Sequence, residues 1–407
     1  MLYAAAAVFT LTTSCDDDDK TTRQVTPSNV VIVKGSEPIT SNTTWGSDKI
    51  YQLSGRVTVE AGATLTIEAG TIIKAEGGRE ANASALVIAR GAKIMANGTP
   101  IEPIIFTSVL DEIEFGETVS PNMDPSFAGL WGGVVILGNA TISADAASVQ
   151  IEGIPPSDAN GLYGGTDDAD NSGEMSYVSI RHGGTLIGEG NELNGLTLGG
   201  VGNGTKIENI EIVSNKDDGL ECFGGTVNVS NIIVWGQGDD AFDIDQAYAG
   251  TINNFVGVAN ANSDHALEVD GPEGTYLAGF VMTNGTLIGY NDGGVDGGEY
   301  ADFRDGAMGA ISGLYFANFS EDSDAELDDD ATSTNYMNAD LVFTNWEFNV
   351  DHLTAGNMTV ADILKDKSAQ GGALSDLSFA SVVTSPTVGA NLADFSWTWT
   401  AQSGKLN

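Results

Sequence analysis

The side chains best suited to chemistry gather between residues 217 and 270. Asp217-Asp218 and Asp239-Asp240 are adjacent acidic pairs, Glu221, Asp243, Asp245, Glu268 and Asp270 follow close behind, and His265 is one of three histidines in the chain. Carboxylates and an imidazole held together can do acid–base work if one carboxyl keeps its proton while another is ionised. They can equally bind a hard cation through oxygen ligands, calcium above all. A second acidic stretch, Asp168-Ala-Asp170-Asn171-Ser172-Gly173, places oxygen donors and then a glycine as the start of a calcium loop does. Its twelfth position is Ser179 rather than a bidentate Glu, which excludes an EF-hand and leaves Asp168, Asp170 and Ser172 as a candidate single-loop calcium site. The blander reading of both stretches is that Asp and Asn favour turns.

What positions these residues is a repeat. The phrases NGLTLGG, DGLECFGG, DAFDID and HALEVDG align Leu196, Leu220, Phe242 and Leu267 at spacings of 24, 22 and 25 residues. A period near two dozen residues, with one apolar-x-apolar strand at a fixed place in each, predicts a β-solenoid. Upstream, VTVEAGATLTIEAGTIIKAEGG and ALVIARGAKIMANG read as short strands between glycine-rich turns. Stacking the coils at about 4.8 Å makes two inward columns, Leu196-Leu220-Phe242-Leu267 and Leu198-Cys222-Ile244-Val269. Cys222 is then a small core residue. Because side chains alternate along a strand, the intervening positions form outward columns: Thr197-Glu221-Asp243-Glu268 and Gly199-Phe223-Asp245-Asp270. The turn column before them runs Asn194-Asp218-Asp240-His265. Neighbouring carboxylates about 5 Å apart repel by roughly 1 kcal/mol in water and about 3 at an effective dielectric of 20, so such columns need water, cations or retained protons.

The whole chain shares this bias. Its 407 residues carry 57 acidic and 16 basic side chains, a net charge of −41. Phosphate backbones would be repelled, so no nucleic-acid partner is expected. No apolar run is long enough to cross a bilayer as a helix. Two distant cysteines, Cys15 and Cys222, give neither a disulfide framework nor a zinc cluster. Residues 2–11 are an apolar run followed by Thr12-Thr13-Ser14-Cys15 and then Asp16-Asp17-Asp18-Asp19-Lys20. This resembles a bacterial lipoprotein signal with a surface-export tag of the Bacteroidota type. It divides the chain into a signal peptide (1–14), a tether lipidated at Cys15 (15–44) and a solenoid body (45–407). Caps are expected at 42–56 and from about 351, with a short helix near 360–367.

The succession GATLTIEAGTIIKA, WGGVVILGNA, NGLTLGGVGNGT, DDGLECFGGTV and GDDAFDID resembles a family of parallel β-helix lipoproteins of Bacteroidota and related bacteria. That resemblance, with the usual crossover rule for parallel strands, implies a right-handed all-β parallel β-helix at the cell surface, anchored to the outer membrane. The implied function is a binding or accessory subunit that captures glycan or nutrient beside an outer-membrane transporter. Trp235, Tyr248 and Phe223 are then candidate sugar-stacking residues. Asp218, Asp239, Asp240 and His265 also resemble the carboxylate and histidine set of polygalacturonase-type hydrolases, so a polysaccharide-cleaving enzyme is the alternative. Against it, no Arg-x-Lys pair follows and SDHALEV replaces a Gly-His-Gly context. A structural spacer is the third reading.

Overall fold

In a computed structural model the described residues are 29–186, 192–292, 295–353 and 358–406. The signal peptide, Cys15 and most of the tether lie outside them. The chain winds into an all-β parallel β-helix. One face is a ten-stranded sheet whose members, Arg56–Val59, Ala85–Ile88, Val134–Leu137, Leu196–Gly199, Leu220–Phe223, Phe242–Asp245, Leu267–Asp270, Ala301–Arg304, Ala325–Leu327 and Leu364–Asp366, stack in chain order. We call it the short-strand sheet. A fifteen-stranded sheet supplies the rest of the wall, with strands of up to nine residues such as Gly173–Arg181 and Phe280–Ile288.

Each long strand bends at one residue with left-handed φ: Asn209, Asn231, Asn254, Asn284 and Asn345 occupy that place on five coils. Asn tolerates this region better than other non-glycine residues. The amides also stack, Asn231 Nδ2 donating to Asn209 Oδ1 at 3.0 Å and Asn254 Nδ2 to Asn231 Oδ1 at 2.7 Å. A corner is thereby fixed at the same height on every coil.

The register in the short-strand sheet follows the repeat residue for residue. Leu196 lies opposite Leu220, Leu220 opposite Phe242, and Phe242 opposite Leu267; Leu198, Cys222, Ile244 and Val269 form the parallel column. All eight are buried in one continuous apolar core. Burial pushes the Cys222 thiol well up, as befits an inert packing residue.

Three boundaries differ from the sequence expectation. Val30–Lys34 is a strand paired in parallel with Ile50–Ser54, and Thr43–Trp45 pairs with the strand Thr64–Ile67. The body therefore includes residues assigned to the tether; the β-branched run Val30-Val31-Ile32-Val33 adds a strand to an otherwise open edge. At the other end the helix spans only Val360–Ile363, and Leu364–Asp366 and Ala380–Val382 extend the two sheets by a further coil. The final residues do not cap that end. They run back along the outside of the long sheet, where Thr387 donates to Glu347, Ala390 N–H to Thr286 Oγ1, Asn391 N–H to Asn254 Oδ1, and Thr400 to Glu211 through both N–H and hydroxyl at 2.8 Å.

Trp399 anchors this strap, edge-on to Trp235 (5.7 Å) and His182 (5.8 Å) and beneath the Arg181 guanidinium at 4.9 Å. Trp399→Ala is predicted to cost about 3–5 kcal/mol in denaturant unfolding, as for a core aromatic. A frayed terminus would lose under about 0.5 kcal/mol.

Candidate functional site

The outward side of the short-strand sheet carries the acidic columns. Glu221 stands opposite Thr197 and Asp243, and Asp243 opposite Glu268. The column continues through Asp302 and Glu326 before reaching Lys365. Asp302 and Glu326 were missed in the sequence because a long excursion separates Leu267–Asp270 from Ala301–Arg304 and breaks the period. The alternation Ala301-Asp302-Phe303 was the available signal.

Asp218 and Asp240 have a structural task. Asp218 Oδ1 accepts the N–H of Asp240 at 3.0 Å, and Asp240 Oδ1 accepts the N–H of His265 at 2.7 Å, so each turn is tied to the next by a carboxylate. The same Asp240 oxygen meets His265 Nδ1 at 3.0 Å. Burial opposes charge on that imidazole, but the hydrogen bond and charge of Asp240, with Asp264 and Glu268, outweigh it and raise its pKa to about 9. His265 is thus a cation at neutral pH.

Among the described residues positive charge on this face comes chiefly from Arg304, with Lys367 beside Glu326 and Lys216 next to Asp217. Arg304 reaches Asp270 at 2.5 Å, Glu268 at 2.7 Å and Asp302 at 3.8 Å. Among the described residues the ion pairs do not extend to Asp218, Glu221 or Asp243, all three buried. One oxygen of each lies within 4.8 Å of the others, and the same holds for Asp217, Asp218 and Asp239. Desolvation first, then mutual repulsion, raises Asp218, Glu221 and Asp243 far above the ordinary carboxylate range. The same causes bring Asp217 to about 7, Asp239 to about 6, Asp245 to about 7 and Glu268 to about 9.

An insertion after Val134–Leu137 encloses part of this face. Its Ile142 packs on Gly224, where an added Cβ would lie 2.8 Å from Ile142 Cγ2, and the positive φ of 61° also requires glycine there. Gly225 N–H donates to Thr141 O, Ser143 N–H to Gln246 O, and Tyr163 OH to Gln246 Oε1. Glu152, on the same insertion, is raised by burial and repels Asp217 and Glu221. No repeat pattern marked it in the sequence. Asp217, Asp239, His265, Glu268 and Asp270 remain partly open to solvent.

The other candidates are placed elsewhere. Tyr248 is 0% exposed, in the core, and donates to Val227 O at 2.6 Å. Trp235, 6% exposed, lies on the long sheet under the strap. Phe223, 8% exposed, packs beneath the insertion against Tyr163. None presents a ring for sugar stacking; apolar outward positions here are covered by returning chain. Among the described residues Phe127 and Tyr276, the latter in the loop after Asp270, are exposed aromatics. In the 168–173 loop, Asp170 accepts from Asn139 and Ser172, and Asp168 from Thr141 N–H. These bonds account for the loop as a turn.

The fold and site together define a parallel β-helix with one carboxylate-lined outer face. The profile of the pectate-lyase-like β-helix domain matches residues 37–401, and the chain belongs to that family. No curated protein matches the chain, and no solved structure does.

Raised carboxyl pKa values make stability pH-dependent. The folded state binds protons more tightly than the unfolded chain, so this contribution to stability is fully present only below about pH 4 and is lost from there as pH rises through the folded values of about 6 to 9. His265 acts in the same direction, its contribution disappearing near pH 9. In chelator, the melting temperature is predicted to fall by several degrees between pH 5 and 9. A constant or rising value would contradict these assignments.

Proposed function

We propose that the protein is a cell-surface lipoprotein whose β-helix body binds polysaccharide along the acidic face. The observation that carries the reading is the row of partly open carboxylates, Asp217, Asp239, Glu268 and Asp270, on three successive coils. Asp217 and Asp239 stack in the turn column, while Glu268 and Asp270 lie farther along the strand of the next coil, so at about 4.8 Å per coil the four form a patch spanning roughly 10 Å along the axis, across which a polymer can lie. Carboxylates accept hydroxyl hydrogen bonds, and a sheet-mounted row needs no reordering to do so. The net charge of −41 favours a neutral glycan over a polyanion. Family membership supports a polysaccharide ligand. Lipidation at Cys15 and the acidic run behind it would hold this face outside the outer membrane, where a nutrient-uptake transporter is the natural neighbour.

Hydrolysis is the second reading, favoured by Asp217 and Asp239, whose values near 7 and 6 allow one protonated and one ionised carboxyl to coexist. Their oxygens within 4.8 Å of one another stand closer than the roughly 6.5–9.5 Å that admits an attacking water in inverting hydrolases and nearer the roughly 5–5.5 Å of retaining ones, so the spacing argues against the inverting route alone. Binding is the better-supported activity.

A glycan array probed with the soluble body, followed by calorimetry on any hit, tests both readings. Asp217→Asn with Asp239→Asn is expected to weaken binding at least tenfold without releasing or abolishing reducing ends. Binding that survives the double substitution removes this face as the site. Reducing ends released by the native chain and lost in the variant would establish the enzyme instead.

A further inference from the structure

A cavity of about 530 Å³ opens at the N-terminal end of the solenoid, lined by Lys34, Ser36, Ser54, Arg56, Glu76 and Asn82 over a glycine floor. Gly35, Gly55 and Gly77 follow the long strands on three successive coils, so the corner there carries no side chain to fill it. The volume is that of a small-molecule site. No apolar side chain lines it, so a ligand held by burial of hydrophobic surface does not fit.

The charges around this cleft are already paired. Arg56 Nη2 donates to Asp158 at 2.8 Å, and Lys34 Nζ to Glu37 at 3.0 Å. Glu76 accepts from Gln52 at one oxygen and from Ser54 at the other, each at 2.6 Å. An anion entering here would meet Glu76, with Glu37 and Asp158 close by; a cation would meet Lys34 and Arg56. A hydroxyl suits the mixed set, because it donates to a carboxylate and accepts from a guanidinium or an amide. Among the described residues the side chains of Ser36 and Asn82 make no hydrogen bond, and Asp158 engages only one edge of Arg56. The cleft therefore offers donors and acceptors together, the requirement of a neutral polyol.

Its place in the solenoid ties it to the acidic face. On every coil the chain turns one corner between a long strand and a short one. On the second coil Gly55 occupies that corner, between Ile50–Ser54 and Arg56–Val59; farther along, Asp217-Asp218 occupies it between Lys206–Val213 and Leu220–Phe223. In the short-strand sheet Arg56–Val59 and Leu220–Phe223 stand four coils apart. At about 4.8 Å per coil, the cleft and the first open carboxylate are roughly 20 Å apart along one edge of the rod. We propose that Ser36, Arg56, Glu76 and Asn82 form a second saccharide subsite, which takes the hydroxyls of a neutral glycan whose chain runs along this corner to Asp217 and Asp239. The proposal rests on the reading of that row as a glycan-binding face and adds a requirement for chain length.

The test is calorimetry on the full chain with size-defined ladders of gluco-, manno- and xylo-oligosaccharides. For the ladder that binds, affinity is expected to rise at least tenfold once the oligomer is long enough to span roughly 20 Å, because the second contact becomes intramolecular. Asn82→Ala, Arg56→Gln and the cavity-filling Ser36→Trp should each remove that rise and leave the affinity of short oligomers unchanged. Ser36 and Asn82 are exposed, so their variants should keep the native melting temperature. A length dependence unaltered by Ser36→Trp and Asn82→Ala would overturn the subsite, and so would the absence of binding by every ladder. Tighter binding of glucuronate or glucosamine than of glucose, lost in Ser36→Trp, would overturn the neutral assignment. The two sites fail separately: binding lost in Ser36→Trp but kept in Asp217→Asn with Asp239→Asn removes the acidic row and leaves the cleft, and the reverse pattern removes the cleft alone.

Discussion

In-register parallel stacking is the constraint on which everything else in this protein rests. Backbone hydrogen bonds hold each short strand about 4.8 Å from the next, so a residue's nearest neighbours are its equivalents on the coils above and below. For apolar positions the consequence is favourable: Leu220, Phe242 and Leu267 continue one another's packing along the axis. For acidic positions it is costly, because Glu221, Asp243, Glu268, Asp302 and Glu326 stack like charge on like charge. The backbone cannot relax this without breaking the register of the core on the opposite face of the same strands.

The face resolves that conflict in different ways along its length. Toward Ala301–Arg304, Arg304 and the protonated His265 provide counter-charge. In the turns, Asp218 and Asp240 spend an oxygen each on the next coil's N–H. Around Glu221 and Asp243, under the insertion, neither device operates, and buried carboxyls must hold protons or a cation. A gradient from compensated to uncompensated charge therefore runs along one face, and the open row at its rim inherits carboxyls that titrate near neutral pH.

Much of this was legible in the sequence because a solenoid converts spacing directly into position. The 24-, 22- and 25-residue spacings are enough to place Glu221 against Asp243 and Asp243 against Glu268, and to assign Cys222 to the core. Legibility failed where the chain leaves the coil. Glu152 reaches the face from an insertion with no periodic signal, and Asp302 follows an excursion that interrupts the count. Trp235 and Phe223 are outward by strand parity, yet are buried by the C-terminal strap and by the insertion. Parity tells which side of a sheet a residue occupies, but only tertiary structure tells what covers that side. At the N-terminus, the polar composition around Val30–Lys34 masked a five-residue strand.

The central claim is that stacked carboxylates on the short-strand sheet are held together by protons when no cation is supplied. Potentiometric titration of the native and the denatured chain in chelator measures this directly, as the difference in protons bound at each pH. The account predicts that at pH 6.5 the folded chain holds at least about two more protons than the unfolded chain, with Glu268, Asp217 and Asp245 carrying much of the excess. Coincident titration curves between pH 5 and 7 would show that the face is ionised and solvated, contradicting the account.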